Sequence, residues 1–194
     1  MEQTWKVEEA IQRTGVLKEG HFLLSSGRHS GQYMQCAQLL QHPAEAEGAG
    51  QALARLFADL DVDVVVGPAL GGVIIAHETA RAAGVRCLFA ERKEGKMTLR
   101  RGFSIQPGEK VLAIEDVVTT GGSVKEVVDL LESMGADIVG IGAIVDRSGG
   151  KAAFRHPFRA LMNHTIQSYA PEECPLCDQG IPVIKPGSRE TLKA

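Results

Sequence analysis

The chain changes rhythm about a third of the way along. From residue 62 onward, short unbroken apolar runs alternate with longer segments of helical period. "VDVVVG" (62–67), "VRCLFA" (85–90), "KVLAIE" (110–115) and "DIVGIGAIVD" (137–146) have strand length and little polar alternation. Runs of that kind predict strands buried on both faces. Between them, "VIIAHETARAAG" (73–84) and "SVKEVVDLLESMG" (123–135) repeat apolar residues at helical spacing. The order β–α–β–β–α–β predicts an α/β fold, a mostly parallel central sheet flanked by helices. Upstream, "TWKVEEAIQRTG" reads as a helix with Thr4 at the N-cap and Gly15 as its stop. Residues 21–41 mix apolar runs with Ser-Gly turns, the pattern of short strands or a hairpin. Pro43 stands where the helix "AEAEGAGQALARLFADL" begins. The tail from Pro171 reads as irregular.

Ligands in such sheets bind beyond the carboxyl ends of the strands, so the strand-to-helix loops matter most. One of them sits in "VLAIEDVVTTGGSVKE" (111–126). Ser123 and Glu126 have capping-box spacing, and Val124, Val127, Val128, Leu131 and Met134 line one helical face. Residues 119–123, Thr-Thr-Gly-Gly-Ser, therefore lead to a helix N-terminus, where free amides and the helix dipole favour an anion. There is neither a Gly-Lys-Ser/Thr loop nor a Gly-x-Gly-x-x-Gly fingerprint. Glu115 and Asp116 precede the loop, and a tight turn alone would not need them. A ribose 5-phosphate explains both: its dianion suits the loop, and its vicinal hydroxyls suit the carboxylates as acceptors. The same acids would stabilise positive charge developing on the sugar.

Composition narrows the class. At 194 residues the chain has room for one well-buried core. A net charge of −3 offers no broad attraction for nucleic acid or anionic lipid. No apolar run approaches the roughly 18 residues of a membrane span, and "MEQTWKVEEA" lacks the features of a signal peptide. These point to a cytoplasmic protein with no nucleic-acid or membrane partner. Four cysteines are too few and scattered for a disulfide scaffold. Cys174-Pro-Leu-Cys177 has the spacing of half a zinc site. No second pair accompanies it, and His156 and His164 are near only in sequence. The expectation is a pair of reduced thiols in a terminal turn, with no protein metal ligands assigned.

"VLAIEDVVTTGGS" closely resembles the phosphoribosyl-pyrophosphate signature of the type I phosphoribosyltransferases. Within that family, "LKEGHFLLSSGRHSGQYM", "VVGPALGGVIIA", "ERKEGK" and "IVDRSGG" resemble, in order and over nearly the whole chain, the orotate-using branch. The resemblance implies Mg²⁺-dependent transfer of ribose 5-phosphate from phosphoribosyl pyrophosphate to N1 of orotate. The products are orotidine 5′-phosphate and pyrophosphate, in de novo pyrimidine synthesis. It also implies a homodimer whose charged loop enters the partner's site, and a small hood over the base. One catalytic unit would span residues 1–194, with a transferase core at 42–170 and a hood and tail from 1–41 with 171–194.

Residue roles follow from the same resemblance. Glu115 and Asp116 hold the ribose diol, while Val117, Val118, Thr119, Thr120, Gly121, Gly122 and Ser123 form the 5′-phosphate loop. Thr119 and Arg147 contact orotate; the bland role for Arg147 is a salt bridge to Asp146. Gly67 to Gly72 form the pyrophosphate loop, where the family often has a non-proline cis bond. Lys96 matches the catalytic lysine, with Arg92 and Lys93 as diphosphate ligands. The chain departs from many bacterial members by carrying Ser25 for a lysine, Thr98 for a histidine and Leu70-Gly71 for Tyr-Lys. Tyr33 and Met34 stand where the orotate pocket often has aromatics. Two rivals remain at this stage: a purine-type transferase, and a regulator that keeps the fold as a nucleotide sensor.

Overall fold

The computed structural model describes residues 5–24 and 26–186; Thr4 and Ser25 lie outside the described residues. In chain order the elements are α1 (Val7–Thr14), β1 (Leu17–Leu23), β2 (His29–Met34), α2 (Ala37–Leu40) and α3 (Pro43–Leu56). Then follow β3 (Val64–Pro68), α4 (Gly71–Ala83), β4 (Arg86–Lys93), β5 (Lys96–Leu99), β6 (Lys110–Val118) and α5 (Gly122–Ser133). β7 (Asp137–Asp146), β8 (Phe158–Asn163), a 3₁₀ turn at Pro171–Glu173 and α6 (Pro175–Asp178) complete the set.

Six strands form the main sheet in the order β5-β4-β3-β6-β7-β8. All its pairs are parallel except β4–β5, an antiparallel hairpin made from the charged segment. The apolar runs are buried on both faces, as their lack of alternation predicts. Along β6, Leu112 and Ile114 pack with Leu53, Ile75 and Ile144 on one side. Val111 and Ala113 pack with Val124, Val127 and Leu131 on the other. This alternation is the period-two geometry of a strand between two helical layers.

Most predicted elements appear. α1 ends at Gly15 in the left-handed conformation (φ 65°), and Pro43 opens α3. Three readings change. The Ser123–Glu126 capping box does not form: α5 begins at Gly122 with left-handed Gly121 as N-cap and no side-chain cap bond, and Glu126 turns instead to Arg92. The charged segment is a short β-hairpin. β8 joins the edge of the sheet beside β7, although "FRALMN" has no strong apolar signal.

β1 and β2 form a separate two-stranded antiparallel sheet. Its strands bond to the C-terminal segment: Ile184 N donates to His21 O (2.8 Å), and His29 and Tyr169 exchange backbone bonds (2.9 and 2.8 Å). Arg28 and Ser30 add side-chain bonds to Ser168 and Gln167. Among the described residues, no helix is long and apolar enough to cross a membrane.

Candidate active site

Three neighbouring strands, β3, β6 and β7, deliver the site residues at their carboxyl ends. β6 carries Glu115 and Asp116 and runs into the loop 119–121; β7 ends at Asp146 and passes to Arg147; β3 passes to Ala69 and Gly71. Residues far apart in sequence converge because strand order makes β3, β6 and β7 adjacent.

The loop meets α5 as an anion cradle. Val117 to Val124 line a cavity of about 110 Å³ with Glu115. Gly121 has φ 77°, and a Cβ there would stand 2.7 Å from Phe154 Cζ. Only glycine meets both demands. The Phe154 ring, on the β7–β8 connection, thus braces the turn, a contact invisible in the motif itself. The first amides of α5 are left without intrahelical partners, as an anion site requires.

Next to it, Pro68, Ala69, Gly71, Arg92, Met97, Glu115, Asp116, Val117 and Ser123 line an open cavity of about 230 Å³. The carboxylates form one wall and the β3–α4 turn another. A Cβ on Gly71 would lie 2.8 Å from Asp116 Oδ1, so a glycine is needed for the turn to pass the acid. The peptide between Ala69 and Leu70 is cis, at the position the resemblance leads one to expect.

Glu115 is 8% exposed. Burial, then the adjacent Asp116, push its pKa up to about 9. Burial also raises Asp116, whose Oδ1 accepts from Val117 N (2.8 Å). The unliganded pair therefore holds a proton at neutral pH. With the folded pKa above the ordinary 4.5, the folded chain binds more protons than the unfolded one between those values. The pair's contribution to stability then falls as pH rises through that window. Glu115→Gln removes the ionisation and should raise the unliganded protein's Tm at pH 8 by about 2–4 °C, equivalent to about 1 kcal/mol. Thermal unfolding from pH 5 to 8 should show the gain shrinking toward pH 5; equal gains at both ends would contradict the shared proton.

Arg147 projects from the end of β7 as a half-buried cation. Its Nε is buried without a hydrogen-bond partner, and no ion pair engages it among the described residues. Asp146 does not bridge to it, because its Oδ1 accepts from Ser148 N (2.8 Å). Burial lowers the Arg147 pKa, opposed by Tyr33 and then Cys36, which places the end of the β1–β2 hairpin beside the guanidinium. Cys36 was not singled out from sequence. It is buried beneath Asp116, Arg147 and Glu115, and burial pushes its thiol well up, so it is inert packing.

The cationic residues divide. Arg92 lines the carboxylate cavity, where its guanidinium forms a two-pronged pair with Glu126, one bond being 2.8 Å. Lys93 and Lys96 face each other across the exposed β4–β5 turn and are not among the residues lining either cavity. Arg100 and Arg101 both pair with Glu91, and Thr98 Oγ1 donates to Glu91 O (3.0 Å). The carboxylate oxygens of Glu115 and Asp116, on the wall of the open cavity, are donors of the kind that suits a hard divalent cation such as Mg²⁺.

Residues 35–174 match the Phosphoribosyl transferase domain family. The chain is 55% identical over 183 residues to the orotate phosphoribosyltransferase of Thermotoga maritima, covering 94% of this chain and 98% of that one. It belongs to the orotate phosphoribosyltransferase family. The Desulforamulus reducens member is 51% identical over 185 residues, covering 95% of this chain and 97% of that one. The Mycobacterium tuberculosis orotate phosphoribosyltransferase solved with 5-phospho-alpha-D-ribosyl 1-diphosphate superposes with a TM-score of 0.65. Its identity is 27%, with 81% of this chain and 93% of that one covered. The chain is thus a transferase of the phosphoribosyltransferase fold.

Proposed function

We propose that the chain transfers ribose 5-phosphate from phosphoribosyl pyrophosphate to orotate in pyrimidine synthesis, with Glu115, Asp116, Lys96 and Arg147 as its principal working residues. The observation that carries the orotate assignment is Arg147. A half-buried guanidinium with an unsatisfied Nε, near Tyr33 at the end of the β1–β2 hairpin, is suited to a planar carboxylate through a bidentate fork. A purine base has no such group.

In this reading the 5-phosphate rests on the amides of residues 120–123 and the ribose diol donates to Glu115 and Asp116. The diphosphate lies along the β3–α4 turn, within reach of Arg92. The Arg92–Glu126 pair is solvent-exposed and therefore weak, so Arg92 can exchange Glu126 for the diphosphate at little cost. Orotate sits between Thr119 and Arg147, with its N1 toward C1 of the ribose. The C1–O bond to the diphosphate breaks as the N1–C1 bond forms; the diphosphate leaves with the bonding electrons, and the proton that N1 loses passes to it. When the sugar binds, the acid pair releases its proton to solvent water, and its negative charge then stabilises the oxocarbenium-like transition state. Glu115 and Asp116 offer carboxylate oxygens that would help hold Mg²⁺, which when bound would supply neutralisation of leaving-group charge. The acidic balance of the chain and its catalytic-type lysines, Lys93 and Lys96, support an enzyme over a nucleotide-sensing regulator.

Lys93 and Lys96 at an exposed hairpin tip support a homodimer in which each tip covers the partner's cavity, excluding water that would hydrolyse the activated sugar. Residues 42–170 then act as the transfer core, and 1–41 with 171–194 as hood and tail. Four unbridged cysteines fit a cytoplasmic setting. Loss of orotate absorbance on adding phosphoribosyl pyrophosphate with Mg²⁺ is the direct test. Turnover with a purine base but not orotate would overturn the substrate assignment. No turnover with any base would overturn the enzyme.

A further inference from the structure

We propose that His21, His29, Cys174 and Cys177 form a structural zinc site that fastens the C-terminal segment to the β1–β2 hairpin. The four side chains come from places remote in sequence, and neither His156 nor His164 takes part: His156 bonds Glu132 (2.8 Å), and His164 Nε2 is buried without a partner. His21 and His29 stand on neighbouring strands of the hairpin, while the cysteines bracket the first turn of α6. Their ligating atoms all lie within 4.8 Å of one another.

The spacing suits a tetrahedron. Zn–N bonds near 2.05 Å and Zn–S bonds near 2.3 Å give tetrahedral edges of about 3.3 Å between nitrogens, and about 3.6 Å between nitrogen and sulfur. His21 Nε2 and His29 Nδ1 are 2.9 Å apart. Cys174 Sγ is 3.5 Å and Cys177 Sγ 3.8 Å from His21 Nε2, and Cys177 Sγ is 3.3 Å from His29 Nδ1. All four atoms converge on one point. A set of two sulfurs and two imidazole nitrogens selects zinc over the hard cation of the active site.

The surroundings prepare the ligands. His21 Nδ1 donates to Ile181 O at 2.6 Å. That bond holds the proton on Nδ1 and leaves the Nε2 lone pair facing the cysteines, the outer-sphere arrangement typical of zinc-bound histidine. Two thiolates neutralise Zn²⁺, so the complex carries no net charge into its buried position.

Packing supplies the reason for a tether. Among described residues 171–186, Cys174 is the only buried side chain, and Ile181, Val183 and Ile184 are exposed. This segment has almost no apolar core of its own. Its attachment includes a few backbone bonds and the cluster around Cys174, the circumstance in which a small substructure uses a metal as its staple. The two sites are physically separate, so the zinc site stands or falls independently of the orotate reading.

The test uses the full chain without a histidine tag, purified under reducing conditions. Elemental analysis should find about one zinc per chain. Cobalt in its place should give the visible d–d bands of a tetrahedral ion and thiolate-to-cobalt charge transfer. Cys177→Ser, at an exposed position, should weaken zinc binding by more than ~100-fold and lose the cobalt spectrum, whereas Cys87→Ser should keep both. Removing zinc should also speed proteolysis within residues 170–186. The proposal is overturned if the metal-free protein takes up neither zinc nor cobalt at micromolar free ion. It is equally overturned if the cobalt spectrum survives Cys177→Ser, or if mass spectrometry finds a Cys174–Cys177 disulfide in the isolated protein.

Discussion

Lys96→Ala should lower kcat by roughly 10²–10³, the scale for removing one electrostatic group that acts on the transition state, while KM for orotate changes little. The reason is positional. The chemistry expels a diphosphate, and the cavity that would receive it has Arg92 as its one lining cation among the described residues. Lys96 is held at the β4–β5 tip by its register opposite Lys93. If that tip serves the neighbouring subunit, each active site needs Lys96 from one chain and Asp116 from the other. Mixing Lys96→Ala with Asp116→Asn chains should then restore part of the lost activity, because a mixed dimer contains one site with both residues intact. Steady-state kinetics on the single variants and on the exchanged mixture checks both statements. Near-normal kcat in Lys96→Ala would remove the lysine from catalysis, and no recovery after proven subunit exchange would remove the shared site.

Arg147→Ala should reduce kcat/KM for orotate by between about 30-fold and several thousand-fold, the range for truncating one partner of a buried, hydrogen-bonded charge pair. KM for phosphoribosyl pyrophosphate should stay close to its wild-type value, which separates a base-binding defect from general damage to the site. Arg147→Lys should recover little, since a lysine keeps the charge and loses the planar fork. Stability should not suffer: the native guanidinium has an unsatisfied Nε, so its removal relieves a cost of burial instead of breaking a network. Unchanged kinetics with orotate in Arg147→Ala would refute the assignment of this residue to the substrate carboxylate.

Legibility from sequence followed a physical division. The central strands were readable because burial on both faces demands unbroken apolar runs, as at Val64–Val66. The turn at 119–122 was readable because its needs are local: a positive φ at Gly121 and a helix start one residue later. β8 was not readable, since an edge strand of half-buried residues needs only one neighbour and carries a weak pattern. The capping box at Ser123 and Glu126 failed for another reason. Ser123 is exposed and Glu126 half-buried, and Arg92, brought over from β4, offers Glu126 a charged partner that a local backbone amide cannot match.

The same division runs through the sites. Glu115 and Asp116 were identifiable from their place before the loop, yet their raised pKa values required the closed turn at Gly71 and the burial it brings. Arg147 could be matched to a role, but its unsatisfied state depends on Asp146 turning to Ser148. Cys174 and Cys177 advertised half a metal site, while the other half, His21 and His29, lay some 150 residues upstream. Taken alone, then, the sequence determined the alternation of strands and helices, the glycine turn with the acids before it, and the family. Those properties depend on neighbours in the chain, and short-range sterics, helix dipoles and burial periodicity encode them directly. Tertiary structure decided which ends of β3, β6 and β7 share a cavity, which cations face it, and which histidines meet the cysteine pair. Such meetings depend on strand order and packing between distant segments, which no local pattern specifies.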